Sequence, residues 1–126
     1  MAELVLPELS YKVVGTLFKV YNELGAGYQE RYYQRAVARA LNEAGFNFRE
    51  QVMVPLTFRG ESIGRYFIDF VVEDALALEI KATPRFYPRD IKQLLAYLKA
   101  ADIELGVLAA FSKNDLKLKR ILRGRP

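Results

Sequence analysis

The chain contains no cysteine and no histidine. The first absence removes disulfides, thiolate nucleophiles and cysteine-bound zinc together. The second removes the imidazole base of serine-histidine and papain-like hydrolases, along with histidine-metal sites. Any catalysis must therefore rest on carboxylates, lysine, tyrosine or a metal held by oxygen. Long apolar runs are missing as well. Those at residues 75–78 and 107–111 fall far short of the roughly 20 residues that a membrane-spanning helix needs, so no bilayer crossing is expected. The segment 1–9 carries Glu3 and Glu8 and lacks both a basic start and a long apolar stretch. It does not read as a secretory signal, and the expected address is cytoplasmic. No internal repeat, linker or low-complexity segment interrupts the chain.

What is present is the material of a core. The chain has 126 residues, of which 52% are hydrophobic, and this suits one compact domain over residues 1–126. The formal charge of +4 is only mildly basic, and a solvated surface explains it as well as a polyanionic partner does.

The periodicity divides the chain into elements. From Ser10, Val13, Val14, Leu17, Val20, Tyr21 and Leu24 recur at helical spacing until Gly25, a usual helix stop. A second helical pattern opens after Gly27 with Tyr33, Ala36, Val37, Ala40, Leu41 and Ala44, and Gly45 ends it. Then the period changes to two. Phe46, Phe48, Val52, Val54, Leu56 and Phe58 alternate with polar residues, the signature of a half-buried strand. After a turn at residues 59–62, residues 64–72 read as a second strand, Glu73 and Asp74 as a tight connection and residues 75–81 as a third. The three are expected to form an antiparallel meander. Pro88 introduces a helix carrying Ile91, Leu94, Leu95 and Leu98. Residues 105–111 suit a strand buried on both faces, and residues 116–119 an exposed edge strand. The expected fold is α/β, in the order ααβββαβ(β), with a central mixed sheet flanked by helices.

The third strand carries the chemistry. Alternation puts Glu79 and Lys81 on one face and Leu76, Leu78 and Ile80 on the other. The stems of Glu79 and Lys81 then stand about 6 to 7 Å apart, at about 3.3 Å rise per residue. This places a metal ligand beside a group able to orient or deprotonate an attacking water, with the Ile80 carbonyl between them. Hard cations such as Mg2+ take oxygen ligands and keep several waters. The opposing explanation, that both side chains merely face solvent, is weakened by the strand before it. Asp69 interrupts a run of Tyr66, Phe67, Ile68, Phe70, Val71 and Val72, where a carboxylate is costly without a partner or a metal. A hairpin at residues 73–74 sets residues whose numbers sum to about 147 opposite each other, so that Asp69 and Glu79 can share one cation.

An aspartate on one strand and Glu-x-Lys on the next resembles the PD-(D/E)XK nuclease superfamily. Gln93 and Tyr97, at i and i+4 on the following helix, resemble the Gln-xxx-Tyr motif of its exonuclease-like branches. Gly27, Glu30 and Tyr33 spell Gly-x-x-Glu-x-x-Tyr, the pattern of the GxxExxY family of small PD-(D/E)XK proteins. The resemblance extends over residues 9–121. Three departures accompany it. Ile68 stands where the superfamily has proline, Tyr21 where the family often has histidine and Ala26 where it often has proline. None of them removes a candidate ligand or the lysine.

The resemblance implies a restriction-endonuclease-like core and metal-dependent hydrolysis of a nucleic-acid phosphodiester, with DNA expected ahead of RNA. Asp69, Glu79, the Ile80 carbonyl and Glu30 would hold Mg2+ or Mn2+, Lys81 would handle the water, and Gln93 would complete the catalytic set. Glu30 has a second explanation, since an acid in a first helical turn suits the helix dipole. Tyr97 would contact substrate. Tyr33 would bond a carboxylate or phosphate, or else belong to an aromatic core with Tyr32. Arg31 and Arg35, followed by Arg39, would neutralise phosphates, as would the basic cluster of Lys113, Lys117, Lys119, Arg120, Arg123 and Arg125. Two readings without cleavage stay open. One is a catalytically silent nucleic-acid-binding module. The other is a protein-interaction subunit, as a homodimer for instance, using Tyr28, Phe86 and Tyr87 as exposed aromatics.

Overall fold

The computed structural model describes residues 6–124. Glu3 and Arg125, which figured in the readings of the two termini, lie outside the described residues. Pro7, whose missing N–H is no loss at a helix start, opens α1 (Pro7–Leu24). Val13, Leu17 and Val20 form its buried stripe, and Gly25, at φ +78°, ends it by donating its N–H to the Tyr21 carbonyl at 2.8 Å. Helix α2 (Glu30–Glu43) buries Tyr33, Val37 and Leu41, one residue per turn. Three strands follow: β1 (Phe48–Phe58), β2 (Glu61–Val72) and β3 (Leu76–Lys81). Helix α3 (Pro88–Ala101) then leads to β4 (Leu105–Phe111) and β5 (Leu116–Leu122).

The strands form a single mixed sheet in the order β1-β2-β3-β4-β5. The first three make the expected antiparallel meander, β3 and β4 run parallel, and β5 returns antiparallel. A parallel pair needs a crossover, and α3 supplies it. Both faces are covered. Leu76, Leu78, Ile80, Val107 and Ala109 pack with the stripes of α1 and α2, whereas Ala77 and Leu108 pack with Leu94, Tyr97 and Leu98 of α3. A Cβ at Gly106 would come within 3.0 Å of the Leu94 side chain, so glycine there lets α3 lie directly on β4. Strand β5 is longer than its expected core of alternation, and both Leu116 and Ile121 are buried. It is an edge strand that packs on both sides of the sheet, Leu116 and Leu118 on the α1–α2 side and Ile121 on the α3 side.

One expectation fails in an informative place. The even-numbered apolar residues of β1 do not share one face. Phe48 packs on the α1–α2 side, but Val52 and Val54 pack on the α3 side. Strand β2 makes the same change, with Phe70 and Val72 on one side and Ile68 and Tyr66 on the other. The register is continuous across the change, from Glu50↔Phe70 to Val52↔Ile68, but it omits the pair between them, Gln51 and Asp69. Gln51 has φ +47°, a left-handed conformation that disfavours side-chain-bearing residues and rotates the strand. Asp69 stands opposite this dislocation.

Candidate active site

The β2–β3 ladder ends at Phe70↔Leu78, one step before Asp69 and Glu79. From there side chains replace backbone partners. The Asp69 N–H donates to Glu79 Oε1 at 3.0 Å, and the Ile80 N–H donates to Asp69 Oδ2 at 2.8 Å. Each carboxylate thus holds the backbone of the other's strand. A strand residue sends its N–H and C=O to the same side, so the Ile80 carbonyl faces the same gap. Asp69 is 7% exposed and Glu79 6%, which makes this a buried acidic pair and not the solvent side of a sheet.

The remaining Asp69 oxygen accepts from two glutamines, Gln34 at 3.1 Å and Gln51 at 3.4 Å. Gln34 also donates to Glu30 Oε2 at 3.4 Å, linking the first turn of α2 to the strand pair. Lys81, two residues on from Glu79, opens onto a cavity of about 410 Å3 that is also lined by Glu30, Thr83, Arg89, Asp90 and Gln93, while Asp69 and Glu79 themselves stay out of its walls. Lys81 Nζ stands 3.9 Å from Asp90 Oδ1.

The acids are held against their solution behaviour. Burial pushes the Glu79 carboxyl up to about 9, reinforced by the neighbouring Asp69 charge and only partly offset by the Asp69 N–H and Lys81. Burial also raises Asp69, against the Ile80 N–H, Gln51, Lys81 and Gln34. Glu30 is raised by burial against the pull of Lys81, and the Ala82 N–H bonds it. Tyr97 is raised as well, by burial and then by the charges of Glu79 and Asp69.

This donor set fits a hard divalent cation. Two desolvated carboxylates that repel each other, a backbone carbonyl and a nearby third acid are oxygen donors that such an ion would stabilise. Among the described residues, no three acids close into a ready-made cage.

Of the residues singled out from the sequence, Glu30, Lys81 and Gln93 line the cavity, and Asp69 and Glu79 lie bonded to each other's strands. Tyr97 is buried edge-on against Tyr66, ring centres 4.8 Å apart. Tyr33 turns the other way, into the core. Its hydroxyl donates to the Gly25 carbonyl at 2.7 Å and its ring stacks on Phe111 at 4.4 Å; its aromatic neighbours are Phe111 and Tyr28, not Tyr32. Arg31 lies over the Tyr32 ring, Arg35 is exposed, and neither lines the cavity. Of the three aromatics expected to be exposed, Tyr28 is, whereas Phe86 and Tyr87 are half-buried.

Sequence reasoning missed Gln34, Gln51, Arg89 and Asp90. Gln34 had a signal, one turn beyond Glu30 on the same helix face. Asp90 follows Pro88 in a first helical turn, where the helix dipole alone accounts for an acid.

Known proteins resemble this chain in fold and in family. No curated protein matches the sequence. Among solved structures, an alkaline exonuclease, LHK-Exo from Laribacter hongkongensis, superposes with a TM-score of 0.52 at 19% identity, over 69% of this chain and 52% of that one. Its complex with dAMP superposes equally well. The chain therefore spans about half the length of LHK-Exo. SSO0001 superposes with a TM-score of 0.51 at 15% identity, over 90% of this chain and 67% of that one. These likenesses concern the fold. The sequence model of the PD-(D/E)XK nuclease superfamily matches residues 7–121, nearly the whole chain, and the protein belongs to that superfamily.

Proposed function

We propose that this protein is a metal-dependent nuclease of the GxxExxY type, hydrolysing phosphodiesters of DNA ahead of RNA. The observation that carries the reading is the buried Asp69–Glu79 pair, bonded across the open end of β2 and β3, with Lys81, two residues on from Glu79, lining a cavity. A buried acidic pair costs stability, and a cation is the economical reason to keep it.

Asp69, Glu79, the Ile80 carbonyl and Glu30 would hold Mg2+ or Mn2+. A bound ion of this kind polarises the phosphate and eases ionisation of water. The chain's own groups do the rest. Lys81, held by Asp90, orients the attacking water by hydrogen bonding. Gln93 and Arg89, from the start of α3, face the same cavity and position the phosphate. Gln34 and Gln51 fix the Asp69 carboxylate. Binding without cleavage is the competing outcome.

Purified protein should degrade DNA or RNA with Mg2+ or Mn2+, stop with chelator and lose activity in Lys81→Ala. Activity surviving that substitution would overturn the mechanism. Salt-dependent binding indifferent to chelator and to Asp69→Asn, with no cleavage, would instead identify a silent module.

A further inference from the structure

A second cavity, of about 530 Å3, opens beside the first and shares Thr83 with it. Its walls come from three loops at one end of the sheet: Gly27 and Tyr28 before α2, Thr83 and Pro84 after β3, and Phe111 and Lys113 at the end of β4. Ligands of sheets with parallel strands bind at the carboxyl ends of those strands, where this cavity lies. Its volume falls within the roughly 300 to 1,000 Å3 of small-molecule sites.

The walls are fixed in place. Tyr33, inside the core, accepts a hydrogen bond from the Tyr28 N–H at 3.4 Å and donates one to the Gly25 carbonyl. Its ring stacks on Phe111 and meets the Tyr28 ring edge-on, with centres 5.9 Å apart. The Tyr21 hydroxyl ties the β4 end by donating to the Ser112 carbonyl at 2.8 Å. Lys117 Nζ donates to the Pro84 carbonyl at 2.5 Å. Tyr28 nevertheless stays 47% exposed. A large aromatic, held by its backbone and by one perpendicular ring contact yet partly left in solvent, has the makings of a stacking platform. Lys113, on the rim, is exposed. The nearby acid, Asp115, is already engaged by Lys117 and the Ser112 hydroxyl.

We infer that this cavity receives the base and sugar of a nucleotide flanking the scissile phosphate, with the base against Tyr28 and an adjacent phosphate at Lys113. The inference rests on the nuclease reading for its occupant. A base can reach a side cavity only if it has left its partner, so the substrate is a single strand, or a duplex end that frays. Aromatic platforms of this kind are sequence-tolerant, because every base has a face to stack.

The test uses the full chain carrying Asp69→Asn, in chelator, so that binding is read without cutting. A short single-stranded oligonucleotide with an internal 2-aminopurine is titrated and its fluorescence followed. Quenching on binding is expected, together with about tenfold weaker affinity when Tyr28→Ala is added, the size of one lost stacking contact. Tyr28→Phe should restore the affinity, and Lys113→Ala should lower the slope of log affinity against log salt by about one. A blunt duplex of the same sequence should bind less tightly than the strand. Undiminished affinity in Tyr28→Ala, or a preference for the blunt duplex, overturns the proposal. Failure of the nuclease reading is registered separately, by unsubstituted protein that leaves every polynucleotide intact in Mn2+.

Discussion

Next to its turn, the β2–β3 hairpin pairs Val72 with Leu76, Val71 with Ala77 and Phe70 with Leu78 in a regular ladder of buried apolar side chains. One step further along the same two strands, Asp69 and Glu79 take over the backbone bonds and the strands part. The closed end contributes burial on both faces of the sheet. The open end keeps two acids out of water, at a cost that their mutual bonding only partly offsets. The candidate site is thus a polar interruption of the core, held shut by the packing that surrounds it. Stability and activity should separate along six residues of strand, and substitutions at the two ends should separate them experimentally.

The largest effect is expected at the closed end. Leu78 is fully buried between β2, β4 and the helices of one face, so Leu78→Ala should cost about 2 to 5 kcal/mol of stability, read as a lower urea midpoint. At the open end the sign reverses. Asp69→Asn or Glu79→Gln should lower nuclease activity a hundredfold or more, since a cation's charge stabilisation is worth several kcal/mol and each ~1.4 kcal/mol is tenfold. The metal-free stability of Glu79→Gln at alkaline pH should rise, not fall. If both ends lose stability alike, the contrast between them is wrong.

The pH dependence follows from the same contrast. A carboxyl raised to about 9 in the folded state from an ordinary 4.5 binds more protons folded than unfolded anywhere between those values. Stability must therefore fall as pH rises through that window. Asp69 and Glu30, also raised, act in the same direction. In chelator, the melting temperature should decline from pH 5 to pH 9, and Glu79→Gln should flatten the decline. Mg2+ should oppose it most strongly at the alkaline end, where the proton has already left. Equal slopes for the two proteins would remove Glu79 as the source.

Much of this arrangement was legible because it is local or repeats. Helical spacing revealed the stripes of α1, α2 and α3, and alternation on β3 set Glu79 beside Lys81. A tight hairpin brought Asp69 opposite Glu79, with the observed register summing to 148 from Phe70↔Leu78 where about 147 was expected. The illegible parts depend on tertiary placement. Asp90 meets Lys81 only because α3 crosses the sheet at a particular angle, which no spacing encodes. Tyr33 matched a motif as a candidate ligand-binding hydroxyl, yet the path of the loop before α2 turns it onto Phe111. The dislocation at Gln51 carried no glycine or proline to announce it, and strict alternation hid it.

Gln51 therefore supplies the subtlest way to sharpen the comparison, because its backbone and its side chain act separately. At φ +47° a glycine relieves about 1 kcal/mol of left-handed strain, offset by a similar gain in unfolded-chain freedom. Gln51→Gly should leave stability within about 1 kcal/mol of the parent, while Gln51→Ala keeps the strain. Both delete the amide that donates to Asp69 at 3.4 Å. If that amide orients the carboxylate, both should weaken Mn2+ binding by about tenfold, the lower end for groups that orient metal ligands, measured by calorimetric titration. Should glycine alone preserve the affinity, the strand's rotation and not the amide is what aims Asp69, and the open end owes its geometry to backbone conformation.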